Sequence, residues 1–286
     1  MKIKIGTRKS KLALAQTNMV IRQLHTVFPE LETEIVYITT SGDRITDRPL
    51  HEIGGKGLFI GEIERALLEG KADLAVHSAK DLPVQLADGT KIGAVLKRGN
   101  PRDALVMRAD ALFGENEVFT VGTGSQRRRN ALAQVYVNAV FSDIRGNIDT
   151  RLRKLEEGEY DAIVLAAAGL ERLGLNGDSR FKVREMSENT EIPAPCQGIV
   201  AVQSRDGECS GILEKINHDD TYKCFETERE VLRLLNAACT MPVGAYAHID
   251  GDRIKLTATK NSLRKVVDSA DIPERFALAE RVVEQL

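Results

Sequence analysis

Tryptophan is absent from this chain, and aromatic residues make up only 5 % of its 286 residues. Nucleic-acid grooves that set aromatic side chains among basic ones are therefore not indicated. Neither sign of charge is in excess. The formal net charge of −2 gives no global attraction to nucleic acid or to an anionic membrane. Long apolar runs are missing as well, the longest, residues 162–170, falling far short of the ~20 residues that cross a bilayer. Residues 1–5 alternate like a strand and lack the apolar centre of a secretion signal. A cytoplasmic protein with no nucleic-acid and no membrane partner is expected. Cysteine is sparse: Cys196, Cys209, Cys224 and Cys239 all fall in the last third and form no C-x-x-C pair. That spacing argues against a zinc site, and no metal is expected. In a reducing compartment the four are expected to be free thiols.

What is present is enough chain for two or three domains. Residues 2–6 read as a strand, and Ser10 as the N-cap of a helix that runs to Phe28 and stops at Pro29. Leu12, Ala15, Met19, Val20, Leu24 and Val27 make its apolar face. Residues 34–39 are β-rich. Residues 41–57 have almost no apolar periodicity, as lids and binding loops do, and end in Gly54-Gly55-Lys56-Gly57. That run lacks the spacing and the Ser/Thr of a phosphate loop. A helix is expected over 59–69, then a buried strand from Leu74 to Val76. His77, Ser78, Lys80 and Asp81 follow before Pro83 ends any regular element. Ligands of open α/β sheets bind beyond the carboxyl ends of the strands, so Lys80 and Asp81 stand where chemistry is done.

The chain then repeats itself. Ile5-Gly6-Thr7 followed by Ala13-Leu14-Ala15-Gln16 returns as Val121-Gly122-Thr123 followed by Ala131-Leu132-Ala133-Gln134. The run from Glu69-Gly70 to Asp73-Leu74-Ala75-Val76 returns from Glu157-Gly158 to Asp161-Ala162-Ile163-Val164. The preserved order predicts two similar α/β lobes with a ligand cleft between them. Crossings near 97–101 and 193–197 give a first lobe of residues 1–97 and 198–217, a second of 101–193, and a small α+β domain of 218–286. The second crossing is proline-rich and ends in glycine, as suits a hinge. Residues 198–203 read as a strand returning to the first lobe. In the last domain, helices are expected over 221–235 and 273–285, and strands over 243–249 and 253–257.

Between Gly122 and Lys154, seven basic residues face two acids, Asp143 and Asp149. Placement says more than number. Gly122-Thr123-Gly124-Ser125 lies between a strand and a helix whose first turns carry Arg127, Arg128 and Arg129. Arg145-Gly146-Asn147 follows a strand expected over 141–144, and Gly6-Thr7-Arg8-Lys9-Ser10 has the same layout in the first lobe. Helix N-termini attract anions, and arginine adds bidentate recognition of carboxylate or phosphate. Three such junctions facing one cleft would hold a ligand bearing several carboxylates or phosphates. Taken singly, Arg129 and Arg153 read better as surface residues paired with neighbouring acids.

Taken together and in order, these residues resemble the hydroxymethylbilane synthase (porphobilinogen deaminase) family over nearly the whole chain. The motifs that carry the resemblance are Thr7-Arg8-Lys9-Ser10, Gly54-Gly55-Lys56-Gly57-Leu58-Phe59, Val76-His77-Ser78-Ala79-Lys80-Asp81-Leu82-Pro83, Ser125-Gln126-Arg127-Arg128, Arg145-Gly146-Asn147, Thr150-Arg151-Leu152, and Cys239 ahead of Pro242-Val243-Gly244-Ala245-Tyr246. The resemblance implies two lobes like those of periplasmic binding proteins, with mixed, mostly parallel sheets, and a C-terminal α+β domain. It implies a dipyrromethane cofactor held by a thioether to Cys239, onto which four porphobilinogen units are condensed with loss of ammonia before hydroxymethylbilane is released. Lys80, Ser78, Thr123, Ser125, Arg127, Arg128, Arg151 and Gly146 are then expected to hold the primer. Arg8, Ser10, Arg145, Gln197 and Lys56 are expected near the incoming unit, and Asp81 is expected to steady the positive charge that develops as ammonia departs. A monomer is expected.

The chain departs from the family pattern at Ala237-Ala238, where two glycines usually precede the anchoring cysteine, at Cys196 and Gly124, and in lacking a tryptophan in the first helix. Alanine tolerates positive φ poorly, so a rearranged anchor loop is expected. The competing reading is a two-lobe protein that binds small anions or tetrapyrroles without turnover.

Overall fold

The computed structural model describes residues 1–40, 60–111, 117–187, 191–237, 241–261 and 264–286. The expected loop over 41–57, with Lys56, and the anchor residues Ala238 and Cys239 lie outside the described residues. The chain opens with β1 (Lys2–Thr7), α1 (Lys11–Val27), β2 (Glu32–Tyr37), α2 (Gly61–Leu68) and β3 (Leu74–Ser78), then a 3-10 turn at Ala79–Asp81 and β4 (Thr90–Val95). Next come β5 (Asp103–Arg108), β6 (Phe119–Gly122), α3 (Gln126–Leu132), β7 (Ala139–Ser142), α4 (Ile148–Glu156), β8 (Ala162–Ala166), α5 (Ala167–Arg172) and β9 (Phe181–Glu185). The last third holds β10 (Val200–Arg205), α6 (Ser210–Ile216), α7 (Asp219–Leu234), β11 (Val243–Asp250), β12 (Arg253–Lys260), β13 (Arg264–Asp271) and α8 (Arg275–Glu284).

Two compact units result, Met1–Gly99 with Ile199–Lys223, and Asn100–Gly198 with Cys224–Leu286. The C-terminal sheet, α8 and α7 from Cys224 onward therefore group with the second lobe. In the first unit a five-stranded sheet runs β2-β1-β3-β10-β4, with β1, β2 and β3 parallel and β10 antiparallel to both neighbours. In the second unit the order is β7-β6-β8-β5-β9, again with β6, β7 and β8 parallel and β5 antiparallel to both of its neighbours. Strand for strand the two sheets share one topology, as the internal repeat predicts. In each, the antiparallel strand is the one that begins just after a crossing.

Strand alternation divides each sheet into two buried faces. Leu74 and Val76 join Val20, Leu24 and Leu213 on one face of the first sheet, while Ala75 meets Ile63 and Leu67 of α2 on the other. In the second sheet, Ile163 and Leu165 meet Leu152 and Leu155 of α4, and Ala162 and Val164 meet Leu132 of α3. Polar contacts repeat too. Arg205, at the end of β10, donates to the carbonyls of Leu67 and Ala72. Arg108, at the end of β5, donates to those of Leu155 and Tyr160 at 3.0 and 3.1 Å. Asp73 and Asp161 each accept a backbone N–H of the first parallel strand, from Lys4 and Thr120, both at 2.8 Å.

The C-terminal part is an antiparallel meander, β11-β12-β13, whose inner face packs on α7 and α8 through Val231, Ala245, Leu256, Leu278 and Val282. Sequence reading misses β13 because only Val266 and Ala270 of its residues are buried, too few for a clear alternation. The strand expected over 141–144 lies at Ala139–Ser142, with Ile144 buried just beyond it.

Replacing Arg205 or Arg108 by alanine strips donors from two carbonyls and should cost about 1–3 kcal/mol each. Thermal unfolding should show a drop of a few degrees for each variant. The double variant should show roughly the sum, since the sites belong to different sheets.

Candidate active site

The first unit gathers its polar residues at the carboxyl ends of β1 and β3. Ser10 caps α1, its Oγ accepting the Ala13 N–H at 3.3 Å, which fixes the Arg8-Lys9-Ser10 turn. β3 ends at Ser78, whose hydroxyl takes the Gln16 amide at 2.8 Å and so ties the strand end to α1. The 3-10 turn beyond it is closed by Leu82 N–H donating to the Ala79 carbonyl at 3.2 Å and anchored by Ala79 N–H on the Ile199 carbonyl at 3.0 Å. Pro83 prevents continuation. A hollow of about 80 Å³ opens here, with Arg8, Ser10, Gln16, His77, Ser78 and Asp81 in its walls and Ile60, Ile63 and Val76 among its apolar lining. Asp81 is exposed, and Lys80, half-buried, stands beside it in the turn. The structure thus brings Arg8, Ser10, Ser78 and Asp81 together and adds Gln16 and His77.

His77 is 5 % exposed and its Nε2 has no partner. Burial holds its imidazole down at about 4, against a weaker upward pull from Gln203. A depressed histidine contributes stability that is fully present above its unfolded value of 6.5 and lost as pH falls through the folded value near 4. The protein should therefore lose roughly 3 kcal/mol from this group over that interval. Unfolding free energies of His77→Gln measured from pH 7 to pH 4 should lack that part of the decline.

In the second unit, Thr123 is buried and its hydroxyl accepts the Ser125 N–H at 3.2 Å. Ser125 caps α3 by accepting the Arg128 N–H at 3.5 Å. The next two arginines turn inward. Arg127 donates to Asp103 at 2.7 Å, to Glu191 at 2.6 Å and to the Ile192 carbonyl at 2.9 Å. Arg128 donates to Asp103 at 2.5 Å and to the Val164 carbonyl at 3.0 Å. Gln197 completes the cluster, its amide donating to Asp103 at 2.9 Å and to the Pro101 carbonyl at 2.8 Å. All five side chains are buried. Asp103 and Glu191 escape sequence reading because the charge tally stops at residues 122–154. The available signal is an acid at Asp103 opening the apolar run Ala104-Leu105-Val106.

Arg129 pairs with Asp143 and the Thr123 carbonyl, and Arg153 with Glu157 one turn on, as their surface reading anticipates. Gly146 sits at φ +104°, where an added Cβ would come within 2.7 Å of Thr150, and Arg151 Nε donates back to its carbonyl at 2.8 Å. Gly146→Ala should therefore destabilise the Arg145–Arg151 loop by about 1–3 kcal/mol, read as a lowered Tm. Two guanidinium donors keep unfilled capacity: Arg128 Nε and Arg145 Nη2 are buried and have no partner. Buried donors without acceptors are rare in folded proteins, and carboxylates fit them well.

The second crossing is held on both sides within its unit. Cys196 N–H donates to Glu228 at 2.5 Å, and Ala245 N–H to the Pro193 carbonyl at 3.0 Å. Cys196 adopts φ +63° and is 1 % exposed, its thiol directed at the Phe225 carbonyl. Near the anchor loop, positive φ falls on Asn236 and not on the buried Ala237.

Two α/β units of one sheet topology, with arginines and hydroxyls near their strand ends, define the class of protein. Its lineage is specific. Residues 3–211 match the family description "porphobilinogen deaminase, dipyromethane cofactor binding domain", and residues 222–275 match "porphobilinogen deaminase, C-terminal domain". A porphobilinogen deaminase of Streptococcus sanguinis is 43 % identical over 99 % of this chain and 95 % of its own. One of Acetivibrio thermocellus is 44 % identical over 90 % of this chain and 87 % of its own. Among solved structures, the periplasmic aliphatic sulphonate binding protein of Escherichia coli is similar over 82 % of this chain and 70 % of its own, at 11 % identity and a TM-score of 0.43. The chain belongs to the porphobilinogen deaminase family, transferases of porphyrin and heme biosynthesis with a dipyrromethane cofactor.

Proposed function

We propose that the chain condenses four porphobilinogen molecules head-to-tail, with loss of ammonia, onto a dipyrromethane attached to Cys239, and releases hydroxymethylbilane. The observation that carries the assignment of residues is the pair of buried, unfilled guanidinium donors, Arg128 Nε and Arg145 Nη2. The dipyrromethane supplies the nucleophilic pyrrole carbon and several carboxylates. Arg128, Arg151, Ser125, Thr123 and the Gly146 loop are suited to hold those carboxylates; Lys80 and Ser78 are assigned to the primer as well. Arg127 and Gln197 act chiefly through Asp103, which they orient.

Arg8 and Ser10 stand at a helix start in the lined hollow and suit the acetate and propionate of an incoming unit; Arg145 and Lys56 are assigned to that unit as well. Asp81 accepts pyrrole N–H groups and steadies the positive charge that grows as ammonia leaves. Its turn is held by Ala79 and Pro83, so the carboxylate needs little reorganisation when that charge appears. The functional division runs as a first lobe of 1–97 and 198–217, a second of 101–193 and a cofactor-bearing domain of 218–286. The enzyme is assigned to the cytoplasm, a reducing compartment in which its cysteines stay as thiols. It is assigned as a monomer, and gel filtration should give the mass of one 31.5 kDa chain.

Asp81→Ala should lower kcat by roughly 10²–10³ while the primer stays attached. Intact mass should show a primer-sized increment that Cys239→Ser lacks. An unmodified parent protein, or full turnover without Asp81, contradicts this assignment.

A further inference from the structure

The buried cluster of the second unit holds two guanidiniums, Arg127 and Arg128, against two carboxyls, Asp103 and Glu191, each of the four at least nine-tenths buried. The carboxyls differ. Asp103 accepts from Arg127, Arg128 and Gln197 at 2.5 to 2.9 Å, so both of its oxygens are filled. Glu191 has Oε1 2.6 Å from Arg127, but its Oε2 is buried with no partner. The charged groups facing Glu191 are Asp103 from β5 and Arg127 and Arg128 from α3. Burial lifts the Glu191 carboxyl well above the usual range, and the Asp103 charge pushes the same way against both arginines.

With Glu191 ionised, two positive charges meet two negative ones, and an approaching carboxylate finds no net attraction. With a proton on Glu191, one positive charge remains. We propose that Glu191 is a positioning residue that takes up a proton as a ligand carboxylate engages Arg128, leaving the arginine pair one net positive charge for that ligand. The proton comes from solvent and goes to Oε2. It turns two facing acceptors into a donor, Glu191, and an acceptor, Asp103. No bond between heavy atoms forms or breaks. The inference rests on Arg128 as a primer-binding residue and adds a proton to that binding. By linkage, a bound anion must then raise the titration of Glu191 as surely as protonation favours the anion.

The test follows glutamate carboxyl carbons by 13C NMR from pH 4 to pH 9 in the primer-bearing protein and in primer-free Cys239→Ser. Glu191→Gln identifies the signal. The Glu191 midpoint should lie at least about one pH unit higher when primer is attached. In parallel, kcat/KM for porphobilinogen should fall on the alkaline side by about tenfold per pH unit beyond that midpoint. Glu191→Gln, whose carboxamide keeps an acceptor for Arg127, should lose this limb with Tm little changed. Equal midpoints in the two proteins, or an unaltered alkaline limb in Glu191→Gln, overturn the proposal. Should Glu191→Gln not fold, Glu191→Asp identifies the signal and the comparison of midpoints decides. Absence of porphobilinogen turnover in the parent would instead contradict the assigned activity, and the titration would still judge Glu191.

Discussion

The second lobe depends on one carboxylate. Asp103 enters β5 almost fully buried, and an ionised acid in that position is tolerable only because Arg127, Arg128 and Gln197 fill its oxygens. The arginines could not lie where they do without it. This mutual requirement draws together three distant stretches of chain, the start of β5, the first turn of α3 and the crossing at Glu191–Gln197. It also explains why successive arginines of α3 have unlike fates. Arg127 and Arg128 turn into the protein, while Arg129 turns out to Asp143.

Around that cluster stands a scaffold that is symmetric in backbone and unsymmetric in chemistry. β3 and β8 occupy the same place in their sheets and follow the same Glu-Gly-x-x-Asp turn. Beyond β3 come Ala79, Lys80 and Asp81 in a short turn; beyond β8 come Ala167, Ala168 and Gly169 in a helix. One lobe therefore carries a carboxylate at its strand end and the other an apolar helix start. The ion cluster shows the reverse bias, since Asp103 of β5 corresponds to Val200 of β10. Duplication of the frame left each half free to take a separate task.

Much of this was readable in the residues. The helix from Ser10, the strand from Leu74 (which runs two residues further, through His77 and Ser78), the two-lobe repeat and the return of the chain through β10 all follow from period, caps and turn residues, which act locally. The ordered motifs identified the family. Less legible was whatever depends on distant partners. That Arg127 would meet Asp103 and Glu191 cannot be read from spacing, because those acids lie 24 and 64 positions away. Gln16 enters the sequence reading only as part of the internal repeat, and nothing local tells that its amide meets Ser78, 62 positions away. The Pro-rich crossing reads as a hinge from composition, yet Glu228 and Ala245 hold it to the C-terminal sheet and its helix. Positive φ falls on Asn236, just ahead of the alanine pair, while the rest of the anchor loop lies outside the described residues.

The threading of β10 has a bearing on how the molecule comes into being. All five strands of the second sheet lie between residues 103 and 185, whereas the first sheet needs β10, between β3 and β4, and that strand ends at Arg205. On a ribosome the lobe that starts first must wait with a gap between β3 and β4, and the sheet of the lobe that starts later can finish before it. Until Arg205 emerges, β3 and β4 are two unpaired edges on a nascent chain, the species most in need of a chaperone's cover.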